Sequence, residues 1–342
     1  MKFLVNIIVL LLAAVLSGAV CWADTLTMKD GSVLMGKVIS QEGKSLLFKT
    51  VYAGTINIKW DQVSKIETKE PVKLMLQNDE LISTRYIKNI ENGISQIKKQ
   101  DEEWKTAFKT DNVAYINPDP WRLGKGYKIT GRANFSLKSQ LGNTIKDELE
   151  MDGLLELRSL KERYTFSGNL EYDTNKNSTT ADNWVFSGKY DYFVSKQRYY
   201  GIQLTMERDK FTDLNLRTTI GPHVGHQFYE GKELNLGMDI GVVQVDENNI
   251  VADDTQFLAM NWNVNYDQFF WDDTIQLYHK NYGLWDWEKS NKITLNSWTG
   301  FRFPLRSGIV ASAEVEWEYD SKPKDHISTL DTTYRFKLGY QW

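Results

Sequence analysis

The four histidines are the residues of this chain best suited to general acid–base chemistry: His223, His226, His279 and His326. A lipid hydrolase needs a histidine beside a serine or beside an activated water. No serine forms a recognisable nucleophile motif with any of the four. The alternating patterns described below predict that His223 faces a lumen, that His226 and His279 face lipid, and that His326 lies in a loop. We therefore predict that the protein is not an enzyme, with a lipid hydrolase as the remaining alternative.

Two further groups of residues could bind a ligand. Carboxylates, which calcium prefers, lie in one predicted loop at Asp246, Glu247, Asp253 and Asp254. Their spacing matches no established calcium loop, so the sequence favours a solvated acidic loop and predicts no metal and no cofactor. Trp285 and Trp287 could stack a sugar, but an aromatic girdle at a membrane interface explains them more simply.

Charged residues of both signs alternate with apolar residues through the C-terminal two thirds of the chain. We call the following set the lumen charge ladder: Lys128, Arg132, Glu148, Glu150, Asp152, Glu156, Arg217, Arg302, Glu314, Glu316, Arg335 and Lys337. A period of two predicts strands that turn these charges to one face and the apolar residues to the other. Because buried charges of opposite sign usually pair, we predict a plugged or narrow lumen.

The last two predicted strands show how such pairing could work. Joined around a loop at residues 320–329, they would place Glu314 near Arg335 and Glu316 near Lys337. Cross-strand pairs of this kind contribute about 0.2–1 kcal/mol each.

The C-terminal strand has the strictest alternation, and its outward residues are mostly aromatic: Tyr334, Phe336, Leu338, Tyr340 and Trp342. An aromatic stripe that ends on the final residue resembles the strand recognised by the outer-membrane barrel assembly machinery. We therefore expect that machinery as a partner during biogenesis, and outer-membrane lipids and lipopolysaccharide as partners afterwards.

Regular spacing of turns predicts the topology of residues 121–342. Short turns recur at intervals of roughly 34–38 residues and alternate with longer polar loops, as in barrels of the outer membrane. This spacing predicts an all-β protein with a twelve-stranded antiparallel up-and-down transmembrane β-barrel and both termini in the periplasm. Pro222 lies inside a predicted strand, where it cannot donate a hydrogen bond, so we expect a bulge or a break in pairing there.

The N-terminal region has three predicted parts. Residues 1–23 have the pattern of a signal peptide that is cleaved between Ala23 and Asp24, with a lipoprotein site at Cys21 as the alternative. Residues 24–95 contain short β-like runs, which predict a small soluble five-stranded SH3-like β-domain in the periplasm. Residues 96–120 are predicted to be a linker with one helical turn near Glu103 to Phe108.

Composition excludes two classes of protein. The formal net charge of −4 does not suit a nucleic-acid binder. No stretch after the signal approaches the roughly 18 consecutive apolar residues that a spanning helix needs. If the chain resides in a bilayer, strands must hold it there.

Several motifs of the barrel half resemble a family of outer-membrane proteins described as salt-induced. They are Gly142-Asn143-Thr144, the segment 189–193, the segment 207–217, and Gly221 with Gly225. The resemblance spans most of residues 121–342 and implies an outer-membrane barrel in a Gram-negative bacterium. It implies no activity and no site residue. His226 departs from the family, which usually has tyrosine there.

Three functions remain open at this point. The first is a narrow channel for small solutes or ions, because charges of both signs line the predicted lumen. The second is a non-conducting structural or envelope-stress protein that responds to salt or acid and contacts a periplasmic partner through residues 24–95. The third is the outer-membrane lipid hydrolase, whose activity would disappear with His223→Ala or His226→Ala.

Overall fold

The computed structural model describes residues 23–90, 94–98, 103, 105–109, 112–140, 146–175, 178–271, 273–323 and 328–342. The chain divides into two compact units, residues 1–118 and residues 119–342. In the described ranges no helix is long and apolar enough to cross a membrane. The predicted signal segment before Ala23, the loop histidine His326 and Gly142-Asn143-Thr144 lie outside the described residues.

The N-terminal unit is a sheet of nine strands. They are β1 (Asp24–Met28), β2 (Val33–Glu42), β3 (Ser45–Thr50), β4 (Gly54–Lys59), β5 (Val63–Leu76), β6 (Leu81–Ile90), β7 (Ile94–Lys98), β8 (Lys105–Lys109) and β9 (Val113–Ile116). The order is β4-β3-β2-β1-β5-β6-β7-β8, and β9 pairs with both β2 and β5. Leu26, Phe48, Ile66 and Ile116 are completely buried in its core.

Two predictions for this unit were wrong. The five-stranded domain has nine strands, and the predicted linker at residues 96–120 includes β8 and β9, with a strand where the helical turn was expected. Val113 and Ile116 of β9 are buried against the core, and this burial includes β9 in the sheet. In addition, β5 continues through Pro71 by shifting its register with β6 between Glu67 and Val72, whereas a proline suggests a strand end.

The first hairpin shows how local chemistry sets the fold of this unit. Gly31 has a φ of 87°, a left-handed conformation that glycine adopts without strain. The backbone N–H of Ser32 donates to the Asp30 carboxylate at 2.8 Å, and this bond lowers the pKa of Asp30. At the predicted cleavage site, Asp24 begins β1, and its carboxylate accepts hydrogen bonds from the N–H groups of Val38 and Lys69.

The second unit confirms the predicted barrel. Its twelve described strands are β10 (Lys128–Gln140), β11 (Lys146–Arg158), β12 (Glu162–Asn175), β13 (Ser178–Phe193), β14 (Arg198–Asp209), β15 (Leu214–Glu230), β16 (Leu234–Asn249), β17 (Thr255–Phe270), β18 (Ile275–Asp286), β19 (Lys292–Pro304), β20 (Ile309–Asp320) and β21 (Leu330–Gln341). Each strand pairs antiparallel with the next, and β10 closes the barrel against β21 with Ala133 opposite Tyr340.

The outer surface of the barrel is apolar. On β21, the side chains of Tyr334 and Phe336 are 74% and 79% exposed. Lys337, which follows Phe336 and points inward, is 9% exposed. Leu338, Tyr340 and Trp342 complete this outward stripe. A continuous belt of exposed aromatic and aliphatic side chains around a closed barrel is stable only in lipid. The unit is therefore a membrane-spanning barrel of the outer-membrane type.

Pro222 interrupts pairing without a bulge. The register between β15 and β16 is the same on both sides of it, from Ile220 opposite Gln244 to His223 opposite Gly241. Gly221 and Pro222 themselves have no partner in this pairing. The proline lacks an N–H group, so the ladder loses its bonds locally while the strand direction is kept.

Candidate functional site

Alternate residues of each barrel strand form the inner wall, and the lumen charge ladder occupies such positions. Lys128 is exposed at the first residue of β10, and Glu148 is half-buried towards the other end of the wall on β11. The remaining ladder residues fall into groups that are described in turn below.

Arg335 and Lys337 are the centre of the largest group, which we call the four-acid cluster because it also contains Glu150, Asp152, Glu314 and Glu316. Arg335 Nε lies 2.7 Å from Glu150, and its guanidinium also contacts Glu316. Lys337 Nζ lies 3.0 Å from both Glu150 and Glu314 and 2.9 Å from Asp152. Two cations therefore hold these four carboxylates, with Glu171 farther away at 3.9 Å from Arg335 Nη2. The contacts connect β20 and β21 to β11 across β10.

The predicted pairing of the last two strands was half right. Glu314 is opposite Arg335 in the register, as predicted, but Lys337 is opposite Ser312, and Glu316 is opposite Thr333. The expected Glu316–Lys337 contact is replaced by diagonal ion pairs, Arg335 with Glu316 and Lys337 with Glu314. Long side chains reach the diagonal neighbour in an antiparallel pair, and the period of two does not specify this choice.

A second group, which we call the aspartate cluster, was missed in the sequence. It contains Arg163, Lys189, Asp191, His223 and Asp239. The Asp191 carboxylate is completely buried between Arg163 Nε and His223 Nε2, each at 2.6 Å. Lys189 forms an ion pair with Asp239. Alternation alone could have identified these residues, because Lys189 and Asp191 occupy every second position of β13.

Another ion pair in this part of the lumen joins strands that lie still farther apart. Arg158 on β11 binds Glu230 on β15 through Nε at 2.7 Å and Nη2 at 3.1 Å. Three strands separate β11 from β15, so this bidentate pair crosses part of the lumen. The guanidinium also stacks on Phe193 at 3.7 Å. We call the Arg158–Glu230 pair the strut.

The other ladder residues divide into paired and unpaired groups. Arg217 binds Glu207 at 2.9 Å and Glu247 at 2.7 Å, and Arg302 binds Asp267 at 2.8 Å. In the described part of the chain, Arg132 and Glu156 have no ion-pair partner within 4.0 Å. The charges of Arg163 and Arg158 attract Glu156, whereas those of Glu230 and Asp191 repel it.

The three described histidines, His223, His226 and His279, lie where the alternation predicts. His223 faces the lumen and contacts Asp191, whereas His226 packs on Phe228 with ring centres 4.5 Å apart. His279 Nδ1 is 2.8 Å from the Thr299 hydroxyl. None of the hydrogen bonds of these three described histidines involves a serine hydroxyl.

The predicted acidic loop is only partly a loop, because Asp246 and Glu247 lie in β16 while Asp253 and Asp254 lie between β16 and β17. Asp254 accepts from the side chain of Asn248 and the backbone of Asn249, and Glu247 binds Arg217. Within the described ranges, no group of three or more acidic, histidine or cysteine side chains is arranged to hold a metal ion.

The aromatic side chains near this end of the barrel also have structural roles. Trp285 and Trp287 meet edge to face with centres 6.4 Å apart, and the Trp285 indole N–H donates to Asn291. Asp286 accepts backbone hydrogen bonds from Glu288 and Ser290, so it closes the turn that follows β18.

A family model for proteins of unknown function, DUF481, matches residues 133–342, well over half of the chain. The chain belongs to this family. The matched residues extend from Ala133 in β10 to Trp342, and the family description names no activity. Salt induction, which the resemblance implied, is not part of that description and stays a prediction. No curated protein sequence matches the chain.

Solved structures similar to the DUF481 protein are membrane barrels. The NanC porin has 10% sequence identity and a TM-score of 0.38, over 61% of this chain and 97% of that one. The translocator domain of the autotransporter NalP from Neisseria meningitidis has 11% identity and a score of 0.35, over 64% and 89%. The outer membrane channel DcaP of Acinetobacter baumannii has 10% identity and a score of 0.33, over 80% and 94%. Similarity at this level carries no information about activity.

Proposed function

We propose that the protein is a narrow outer-membrane channel for small solutes or ions. The observation that supports it is the partial exposure of charged side chains on the inner wall. Glu207 on β14 is 32% exposed, Asp267 on β17 is 26% exposed and Lys189 on β13 is 17% exposed. Water therefore reaches a charged wall inside a closed barrel, which is the basic requirement for ion passage.

The orientation and partners are part of this proposal. The turns of β11–β12, β15–β16 and β19–β20 are short, as periplasmic turns of outer-membrane barrels are. This arrangement favours both termini and the N-terminal sheet in the periplasm, where the sheet would meet a soluble partner. Outer-membrane lipids, lipopolysaccharide and the barrel assembly machinery remain the expected membrane partners.

Planar-bilayer recordings of the full-length protein test the channel. We expect small unitary conductances in the wild type, and larger ones when Arg158→Ala and Glu230→Ala together remove the strut. Lys232→Ala with Asp273→Ala is the matched control, because this ion pair joins two short turns and its side chains are 43% and 31% exposed. Silent bilayers after verified insertion of both wild type and strut variant would refute the proposal.

A non-conducting envelope-stress role is the second candidate, and the strut and the four-acid cluster favour it because they fill part of the lumen. A deletion strain challenged with salt and with acid tests this role, and normal envelope integrity would count against it. A lipid hydrolase has the least support, since the His223 side chain is completely buried and its hydrogen bond is to Asp191 and not to a serine hydroxyl. Deacylase activity that disappears in His223→Ala would reverse that judgement.

A further inference from the structure

Three inward cations lie on neighbouring parts of the wall that the four-acid cluster and the aspartate cluster do not use. They are Arg132 on β10, Lys280 on β18 and Arg302 on β19. Gly300, Ser312 and Gly339 occupy inward positions on the intervening strands. Tyr278 and Asn134 lie over the two glycines, since an added Cβ would be 2.6 Å from the Tyr278 hydroxyl at Gly300 and 2.1 Å from Asn134 Oδ1 at Gly339. Arg302 stacks on Tyr278, and Tyr278 and Lys280 are successive inward residues of β18, so Lys280 lies beside Arg302. Arg132 is near enough for its charge to act on Lys280.

This group lacks the acids that would neutralise it. Arg302 has Asp267 at 2.8 Å, but Asp152, the other carboxylate that acts on Arg132 and Lys280, is bound to Lys337 at 2.9 Å. Neither Arg132 nor Lys280 has an acidic side chain within 4.0 Å among the residues that the structure describes. The four-acid cluster shows the opposite balance, with two cations for four carboxylates.

Arg302 is held in a fixed orientation beside these unpaired charges. Its Nη1 donates to Asp267 and to Gln276 at 3.1 Å, and its guanidinium stacks on the Tyr278 ring at 3.7 Å. Tyr278 is in turn fixed by donating its hydroxyl hydrogen to Glu314 at 2.8 Å. A fixed guanidinium next to two unpaired cations costs free energy unless water or an anion compensates the charge.

We propose that Arg132, Lys280 and Arg302 form a binding site for small oxyanions, carboxylates or phosphates, within the lumen. Guanidinium groups match the planar geometry of these anions, and an ammonium adds a compact point charge. The inference rests on the proposed channel for its role, because such a site makes the channel selective for anions. The site itself requires only that solutes reach the lumen.

The affinity of the site can be measured from the block of channel current by inorganic phosphate and by citrate. In bilayers with full-length protein, we expect both anions to reduce the current, and Arg132→Gln or Lys280→Gln to weaken the apparent affinity on the order of tenfold each. Arg217→Gln is the matched control, because Arg217 is an inward cation bound to two carboxylates. Arg132 and Lys280 lie on different strands, so one variant remains informative if the other fails to insert.

The outcomes separate this inference from the channel proposal. If the channel conducts but phosphate blocks the wild type, Lys280→Gln and Arg217→Gln equally, the binding site is refuted and the channel proposal stands. If bilayers of both the wild type and the strut variant are silent, calorimetric titration of phosphate into detergent-purified wild-type protein decides the site alone. If phosphate binds and Lys280→Gln weakens this binding, the site stands and the channel is refuted. If phosphate does not bind, both proposals are refuted.

Discussion

Removing Arg335 tests whether the four-acid cluster stabilises the barrel. Arg335 is 14% exposed, and its partners Glu150 and Glu316 are 11% and 9% exposed. Arg335→Gln leaves four carboxylates with Lys337 as the remaining cation of the cluster. Two charge-assisted contacts at about 1.5 kcal/mol each give a loss of about 3 kcal/mol. This value is at the lower end of the range for breaking a buried ion pair.

Urea unfolding in lipid vesicles, followed by tryptophan fluorescence, measures that loss as a lower midpoint at an unchanged slope. Glu150→Gln alone and combined with Arg335→Gln completes a double-mutant cycle, in which we expect a coupling energy of about 1–3 kcal/mol. The exposed Lys232–Asp273 pair is the control, and Lys232→Gln should change stability by less than about 0.5 kcal/mol. An Arg335→Gln variant as stable as this control would refute the reasoning, because water in the lumen would then screen the cluster.

Two further substitutions test close contacts in the wall. The Tyr199 ring lies over Gly225, where an added Cβ would be 2.2 Å from the ring, so Gly225→Ala should destabilise by about 1–3 kcal/mol in the same assay. Gly153→Ala, with its nearest atom at 3.7 Å, is the matched control and should cost less. Trp342 exchanges two backbone hydrogen bonds with Gly131 where the barrel closes. Removing Trp342 should therefore slow assembly into vesicles, measured by heat-modifiable mobility; an unchanged rate would contradict a role in closure.

The barrel could be predicted because membrane and lumen impose opposite chemistry on alternate residues. On β21, Phe336 and Lys337 are neighbours in sequence and face opposite solvents, so a period of two specifies both faces. The N-terminal sheet has no such contrast between lipid and lumen, and its strands β8 and β9 come from a charged segment. In that unit, burial of Val113 and Ile116 depends on contacts with distant strands, and local sequence does not reveal them.

Pairing inside the lumen was less predictable than the identity of the inward residues. The position of Arg335 opposite Glu314 follows from strand register, but its ion pair with Glu150 on β11 depends on closure of the barrel. Likewise, the strut joins Arg158 on β11 to Glu230 on β15, and three strands lie between these two. Such contacts depend on the curvature of the wall, which sequence periodicity does not encode.

Charge is distributed unequally along the lumen, and this distribution suggests the direction of solute movement. Glu318 lies near the end of β20 farthest from the short turns, and the charges of Glu171, Glu207 and Asp331 act on it. Arg302 lies close to a short turn, at the other end of its strand. With the short turns in the periplasm, as proposed, anions reach the cation site from the periplasm without passing this group of acids. An asymmetric bilayer should therefore show stronger phosphate block from the periplasmic side than from the outer side.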